Sequence, residues 1–241
     1  MFEKLNGIVL HVLRHSDKNS IAHILTDRCG RMAFLVPQGA TKGARMRNAI
    51  FMPLSVIEFE AKVLPGRELH SFRDARSISS LAGIYCDPAK NAIAMFISEL
   101  LTKSIQESEE NIPLFRFIKA SVELLNEIDT GIANFHIWFL YNLGAFLGIQ
   151  PDIETYRDGY WFDMSNGIFT RERPLHSHSL TPAEAPVILL LSRMTSHNLH
   201  HFKFSRVQRG EILDIALNYY RLHNSMIGAL RSPEILKQLF V

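Results

Sequence analysis

Two cysteines, Cys29 and Cys86, are all that the 241 residues contain, and they form no CxxC pair. That scarcity excludes a disulfide framework and fits a reducing compartment. Long apolar runs are missing as well: nothing approaches the ~18 residues of a membrane-spanning helix. The opening "MFEKLNGIVLHVLRHSDK" carries an acid at Glu3 and reaches Arg14 after a short apolar stretch, which is wrong for a signal peptide. The expectation is a soluble, cytoplasmic chain with no membrane partner. Catalytic signatures are equally scarce. No GxSxG, HExxH or paired-carboxylate constellation is present. "GATKGARM" lacks the GxxxxGK[ST] spacing of a phosphate-binding loop and leads into no convincing helix. Asp158 and Asp163 bracket a predicted hairpin, where solvated turn acids are expected. The sequence therefore reads as a non-enzyme without a cofactor.

One further absence is local. From Arg28 to Ile57 there is no Asp or Glu, although the stretch holds five basic residues. Three of them, Lys42, Arg45 and Arg47, crowd into the glycine-hinged segment "PQGATKGARMRNA". Net charge over the whole chain is only +2, so it is the distribution that informs. Residues 1–78 carry 12 Lys and Arg against 7 Asp and Glu, whereas residues 79–150 carry 4 against 8. A basic first third and an acidic middle point to separate surfaces with separate partners.

The hydrophobic patterning changes near residue 78. Before it, "GIVLHVL", "SIAHILTD", "RMAFLVP", "IFMPLSVIEFEAK" and "RELHSFRDA" are short, β-branched or aromatic runs separated by turn clusters. Five strands without an intervening helix fit an OB-type barrel, with an SH3-like barrel as the alternative. After it, Asp87 and Pro88 open a helix through "AKNAIAMFISELLTKSIQ". Further helices are predicted in "IPLFRFIKASVELLNEI", "IANFHIWFLYNLGAFLGI", Pro182 to Met194, "FSRVQRGEILDIALNYYRLHN" and "PEILKQLF". The stripe Phe135, Trp138, Phe139 and Phe146 has the spacing of a buried helix face. "DGYWFDMSNGIFTRERP" reads as a β-hairpin turned by "SNG". The fold class is α+β: a barrel domain over 1–78, then a helical domain over 79–241 with a hairpin module inserted at 151–180.

An OB-type barrel grips nucleic acid with loop cations on phosphates and aromatic rings on bases. Lys42, Arg45 and Arg47 supply candidate phosphate contacts, and Arg14, Lys18, Arg28, Arg31, Arg67, Arg73 and Arg76 extend the track. Phe34, Phe51 and Phe72 are available for stacking, although each lies in a strand run that core packing also explains. His197, His200 and His201 stand at i, i+3 and i+4, with His176 and His178 upstream. That spacing suits zinc on a helix, but the stretch is polar and offers no cysteine, so solvated histidines are the simpler reading. Two other function classes compete: a protein-docking scaffold that never touches DNA, and a histidine-metal enzyme acting on nucleic acid.

Several segments carry a resemblance. "NGIVLHVLRHSDKNSIAHILTDRCGRMAFLVPQGATKGA" resembles the opening of the RecO family of bacterial recombination mediators. "PLSVIEFEAKVLPGRELHSFRDAR" is similar to its next two strands, and "ISELLTKSIQESEENIPLFRFIKASVELL" and "FLYNLGAFLGIQPDI" to its helical part. "YYRLHNSMIGALRSPEILKQLF" is similar to its close. The resemblance implies a DNA repair protein that binds single- and double-stranded DNA and anneals complementary strands. With RecR, such a protein helps RecA replace the single-strand-binding protein SSB, without nucleotide hydrolysis and at the nucleoid. It further implies that the helical part receives the acidic C-terminal tail of SSB, a peptide that needs an apolar pocket rimmed by cations. Lys103, Arg116 and Lys119, near Leu100 and Phe115, are the candidates. Many members carry a four-cysteine zinc module where this chain has "IQPDIETYRDGYWFDMSNGIFTRERPLHSHSL", which contains no cysteine. The expectation is a hairpin without metal, held by Trp161, Phe162 and Phe169.

Overall fold

The computed structural model describes residues 2–39, 49–63, 66–106 and 109–239. Two compact units are formed, Met1–Glu127 and Ile128–Val241. By secondary structure the chain changes character after residue 78; by contacts it divides after Glu127.

In the first unit five strands close a barrel in the order β1-β2-β3-β5-β4. They are β1 (Glu3–Arg14), β2 (Asn19–Thr26), β3 (Gly30–Pro37), β4 (Val56–Lys62) and β5 (Leu69–Ser77). Neighbours pair antiparallel except at the β3–β5 seam, which is parallel and joins only Ala33 to Leu69 and Phe34 to His70. Alternation along the strands sends Leu5, Val9, Ile24, Phe34, Val36 and Phe59 inward. Phe34 and Phe59 meet edge to face at 5.0 Å, and Phe72 packs 6.2 Å from each. Burying a side chain of this size contributes roughly 1.5–3 kcal/mol. Phe51 belongs to the same core. All three candidate stacking rings are thus claimed by the barrel interior.

The run "IFMPLSVIEFEAK" does not form one strand. Ala49–Phe51 is a 3-10 turn, Leu54 has φ 64°, and the strand starts only at Val56. Pro53 offers no backbone N–H to a ladder, and the left-handed residue after it breaks the extended path. The register of β1 slips between Val9 and His11. Such a bulge leaves Leu10 out of the ladder, and its carbonyl accepts instead from the Ser98 hydroxyl.

Three helices complete this unit: α1 (Ala82–Tyr85), α2 (Pro88–Ser104) and α3 (Ile112–Glu127). Asp87 caps α2 as the sequence implies, accepting from the N–H groups of Ala89 and Lys90. Polar pins hold the helices to the barrel. Tyr85 donates to the Pro53 carbonyl at 3.0 Å, and Arg31 Nη1 donates to the Thr102 and Ile105 carbonyls, each at 2.8 Å.

The second unit contains α4 (Phe135–Phe146), α5 (Pro186–Ser192), α6 (Arg206–His223) and α7 (Ser232–Leu239). Phe135, Trp138 and Phe139 are buried, and Tyr220 donates to the Leu140 carbonyl at 2.6 Å. Helix α5 begins at Pro186 rather than Pro182; residues 182–185 form a turn leading into it, in which the Glu184 carboxylate accepts from the Thr181 N–H and hydroxyl. The predicted hairpin is present as β6 (Trp161–Asp163) and β7 (Ile168–Thr170), and a third strand, β8 (Ser179–Leu180), pairs with β6.

Asp163 corrects one expectation. It is buried, not solvated, and builds the turn: its carboxylate accepts from the N–H groups of Ser165 and Asn166, from Asn166 Nδ2 and from His176 Nε2 at 3.2 Å. Burial alone raises its pKa, but the hydrogen bonds from Asn166 and Ser165 hold it below the usual value. Gly167, at φ 69°, closes the turn. The aromatic cluster that packs against the hairpin is Tyr156, Phe162, Phe169 and Tyr219, with ring spacings of 4.9–5.9 Å. Trp161 lies partly exposed beneath the Arg173 guanidinium.

Candidate nucleic-acid interface

Hairpin topology decides where the barrel cations go. The β1–β2 turn and the β2–β3 turn lie at opposite ends of β2, so Arg14 and Lys18 stand at one end of the barrel and Arg28 at the other. At the first end a cleft of about 850 Å³ opens between Arg14, Ser16, Asp17, Ser20, Gln38 and the 3-10 turn at Ala49–Phe51. Both Gly39 and Ala49 line it. These two described residues lie on either side of Lys42, Arg45 and Arg47 in the chain. Lys42, Arg45 and Arg47 themselves lie outside the described residues. The turn is rigidly built: Ser16 Oγ accepts from the N–H groups of Lys18 and Asn19, and the Lys18 carbonyl accepts from the Gln38 N–H at 2.6 Å.

The other cations divide into three kinds. Arg14, Arg73 and Arg76 are paired: Arg14 with Asp17 at 2.7 Å, Arg73 with Glu60 at 2.6 Å, and Arg76 with Glu58 at 2.5 Å. Lys4 adds a second cation to Glu58, whose pKa falls through hydrogen bonds from Lys4 and then Arg76. The β4–β5 surface is accordingly a solvated lattice of both signs rather than a field of one sign. Exposed pairs of this sort contribute little to stability, and a phosphate must compete with their carboxylates.

Arg31 is of the second kind. Half-buried and committed to the two carbonyls that end α2, it serves as a helix C-terminal anchor. Lys18, Arg28 and Arg67 form the third kind, exposed and without an ion pair among the described residues. Arg67 lines a second cleft, of about 570 Å³, with Arg31, His23 and His70. The structure therefore brings Arg31 and Arg67 together, and places Arg14 and Lys18 beside the first cleft. It does not assemble the seven described candidates into one track. Ser16, Ser20 and Gln38 are cleft groups that the charge pattern overlooked; the turn cluster "HSDKNS" was the signal for the two serines, and Gln38 opens the basic segment on the other side.

The proposed peptide site needs a correction. Leu100 and Phe115 are 0% and 6% exposed. Both face inward on amphipathic helices, so neither presents surface to a partner. Lys103 and Lys119 are partly exposed, and Lys119 lies 3.6 Å from Glu123. Arg116 is exposed and shares the α3 face of Ile112, an exposed apolar residue at i−4. Lys90, the fourth cation of the acidic middle, is buried and donates to the Asn126 carbonyl.

The histidines do not converge. The rings of His176 and His178 lie tilted 6.1 Å apart, and those of His200 and His201 meet edge to face at 4.0 Å. Leu199–His201 is a single 3-10 turn, not the helix that would align an i, i+4 pair. Among the described residues no group of three or more His, Cys, Asp or Glu is placed to hold a metal ion, and no helix is long and apolar enough to cross a membrane.

Known proteins align with the chain along its whole length. A family model described as Recombination protein O N terminal matches residues 1–81, and one described as Recombination protein O C terminal matches residues 86–229. Proteins named DNA repair protein RecO from Phocaeicola vulgatus and Bacteroides fragilis are each 41% identical to it, over 240 and 241 residues, covering all of both chains. The protein of that name from Porphyromonas gingivalis is 33% identical over 97% of each chain.

Proposed function

Since the chain belongs to the RecO family of DNA repair proteins, we propose that it is a recombination mediator that binds single- and double-stranded DNA and anneals complementary strands. With RecR as partner it would help load RecA onto single-stranded DNA coated by SSB. In this reading residues 1–78 are the DNA-binding OB domain. Residues 79–241 are the helical domain, with a metal-free hairpin module at 151–180. The protein acts in the cytoplasm at the nucleoid, without catalysis and without a cofactor.

One observation carries the DNA assignment. The cleft at the β1–β2 end of the barrel is flanked by Gly39 and Ala49, so the chain that leaves it and returns to it bears Lys42, Arg45 and Arg47. Lys18 stands on the adjoining turn. Cations there neutralise phosphates, and two strands so neutralised repel each other less while their base edges stay free to pair. Because counterions are released on binding, affinity falls steeply with salt. The same reading assigns the acidic SSB tail to the cations Lys103, Arg116 and Lys119 beside Ile112.

Fluorescence anisotropy of a labelled single-stranded oligonucleotide across a salt series tests the proposal. The expected result is steep salt dependence in the native protein. Lys42→Ala, Arg45→Ala and Arg47→Ala together should lower the slope by about 2, at roughly 0.7 per phosphate contact. An unchanged slope would remove the cleft from the reading. Weak, salt-insensitive binding by the native protein would move the function to a docking scaffold, for which the neutralised β4–β5 surface is suited.

A further inference from the structure

The second unit has an acid-free stretch of its own. Between Glu184 and Glu211 there is no Asp or Glu, while Arg193, Lys203, Arg206 and Arg209 all fall within it. Its backbone is held firmly. Asn198 ties its start, donating from Nδ2 to the Arg193 carbonyl and accepting from the Thr195 N–H. Buried Asn134 donates from Nδ2 to the Leu199 and Phe202 carbonyls, at 3.0 and 2.7 Å. Leu199 is buried, and Gly131, at φ 76°, lets the backbone of Leu199 and His200 pass so closely that an added Cβ would stand 2.7 Å from the His200 nitrogen. Arg209 braces the far side, donating to the Phe204 carbonyl at 2.5 Å.

What this scaffold displays is cationic and aromatic in alternation. Arg193, Lys203 and Arg206 are exposed, and none makes an ion pair among the described residues; Arg206 donates from Nε to the Lys237 carbonyl at 2.9 Å, and unlike half-buried Arg31 it does so at the surface. That separates them from Arg14, Arg73 and Arg76 of the barrel, each held by a carboxylate. Two nearby acids, Asp214 and Glu234, are engaged by Lys237 at 2.8 and 3.7 Å. Between the cations lie two ring pairs: His200 with His201 at 4.0 Å, both exposed, and Phe202 with Phe204 at 5.9 Å, both partly exposed. Cations that track a backbone, interleaved with flat rings, are the requirements for holding a single strand without sequence preference.

We propose that residues 193–206 form a second nucleic-acid site, with Arg193, Lys203 and Arg206 on the phosphates of a single strand and the His200–His201 and Phe202–Phe204 ring pairs under its bases. The inference rests on the reading of the chain as a DNA-handling protein and adds to it a strand site on each compact unit. Annealing needs two strands whose charge is neutralised on different surfaces, and two sites of this kind meet that need.

The test uses the full chain, a 4-thiothymidine oligonucleotide for photocrosslinking, and a variant with Arg193→Ala, Lys203→Ala and Arg206→Ala. Crosslinks are expected in the peptide that spans 193–209 as well as in the barrel. The variant should show a salt slope shallower by about 2, with affinity lower on the order of a hundredfold at ~0.1 M salt. Should the triple variant misfold, Lys203→Glu alone keeps the test, because that side chain is exposed. Crosslinks confined to the barrel, with slopes unchanged, would overturn the second site and leave the first intact. Absence of salt-dependent binding in the native protein would overturn both. Loss of binding to a poly-glutamate peptide while the DNA slope stays unchanged would overturn it too, in favour of an acidic-peptide surface.

Discussion

Exchanging Arg31 for methionine separates two roles that a cation on the barrel can have. The native guanidinium makes two hydrogen bonds of 2.8 Å, to the Thr102 and Ile105 carbonyls at the end of α2. Hydrogen bonds to a charged group contribute roughly 1.5–3 kcal/mol each. The site is half open to water, which can satisfy part of what is lost, so the net cost is about 2–4 kcal/mol. For a unit of this size that lowers the melting temperature by roughly 10 °C. Methionine keeps the apolar stem, so the loss reports on the charged head. His11 and His23 provide a second readout. Their pKa values lie below 6.5, first through burial and then through the Arg31 charge. A depressed histidine withdraws stability as pH falls below about 6.5, since the unfolded chain takes up the proton more readily. In Arg31→Met both values rise towards 6.5, and that part of the acid sensitivity shrinks. Calorimetry, imidazole titration by NMR and the salt series of oligonucleotide anisotropy together decide the matter. A variant with unchanged melting temperature and a salt slope shallower by about 0.7 would refute the anchoring role and return Arg31 to the DNA contacts.

Asp163→Ala should destabilise the second unit by about 2–3 kcal/mol, since two backbone N–H groups of the turn lose a charged acceptor; urea titration followed by tyrosine fluorescence measures it. Because the native pKa is lowered, that contribution is present above the unfolded value near 4 and is lost as pH drops through the folded one. His136 is buried and pushed down to about 3 by burial and then by Arg209, so stability should fall from about pH 6.5 towards 3. A His136→Leu variant should show a flatter pH–stability curve over that range, and an unchanged curve would exclude His136 as the source. Gly131→Ala forces a side chain into a left-handed residue and against the His200 nitrogen. It should cost about 2–3 kcal/mol and loosen amide protection in residues 195–204, read by hydrogen exchange.

Much of the architecture was legible because strands and helices impose different periods on the same alphabet. The five runs before residue 78 became the five barrel strands, and Asp87 with Pro88 began α2 as their chemistry requires. Where reading failed, the cause was tertiary. Nothing local tells that Leu54 is left-handed, so "IFMPL" looked extended. Asp163 looked like a solvated turn acid because its burial depends on β8, a two-residue strand too short to carry a pattern. The candidate site was legible as charge and illegible as geometry. A sequence shows that Arg73 and Arg76 are cationic, but only strand register places Glu60 and Glu58 opposite them. Leu100 and Phe115 illustrate the converse, since an apolar residue near a cation on a helix is more often the buried face than a pocket wall.

The parallel seam of the barrel has a consequence for motion. Among the described residues β3 and β5 meet through two pairs, Ala33 with Leu69 and Phe34 with His70, while every other seam runs for five or more. Opening a closed sheet requires one seam to part, and the shortest breaks the fewest hydrogen bonds. The seam between β3 and β5 is therefore where the cylinder should part first, which amide exchange around Leu69 and His70 ahead of the other seams would show.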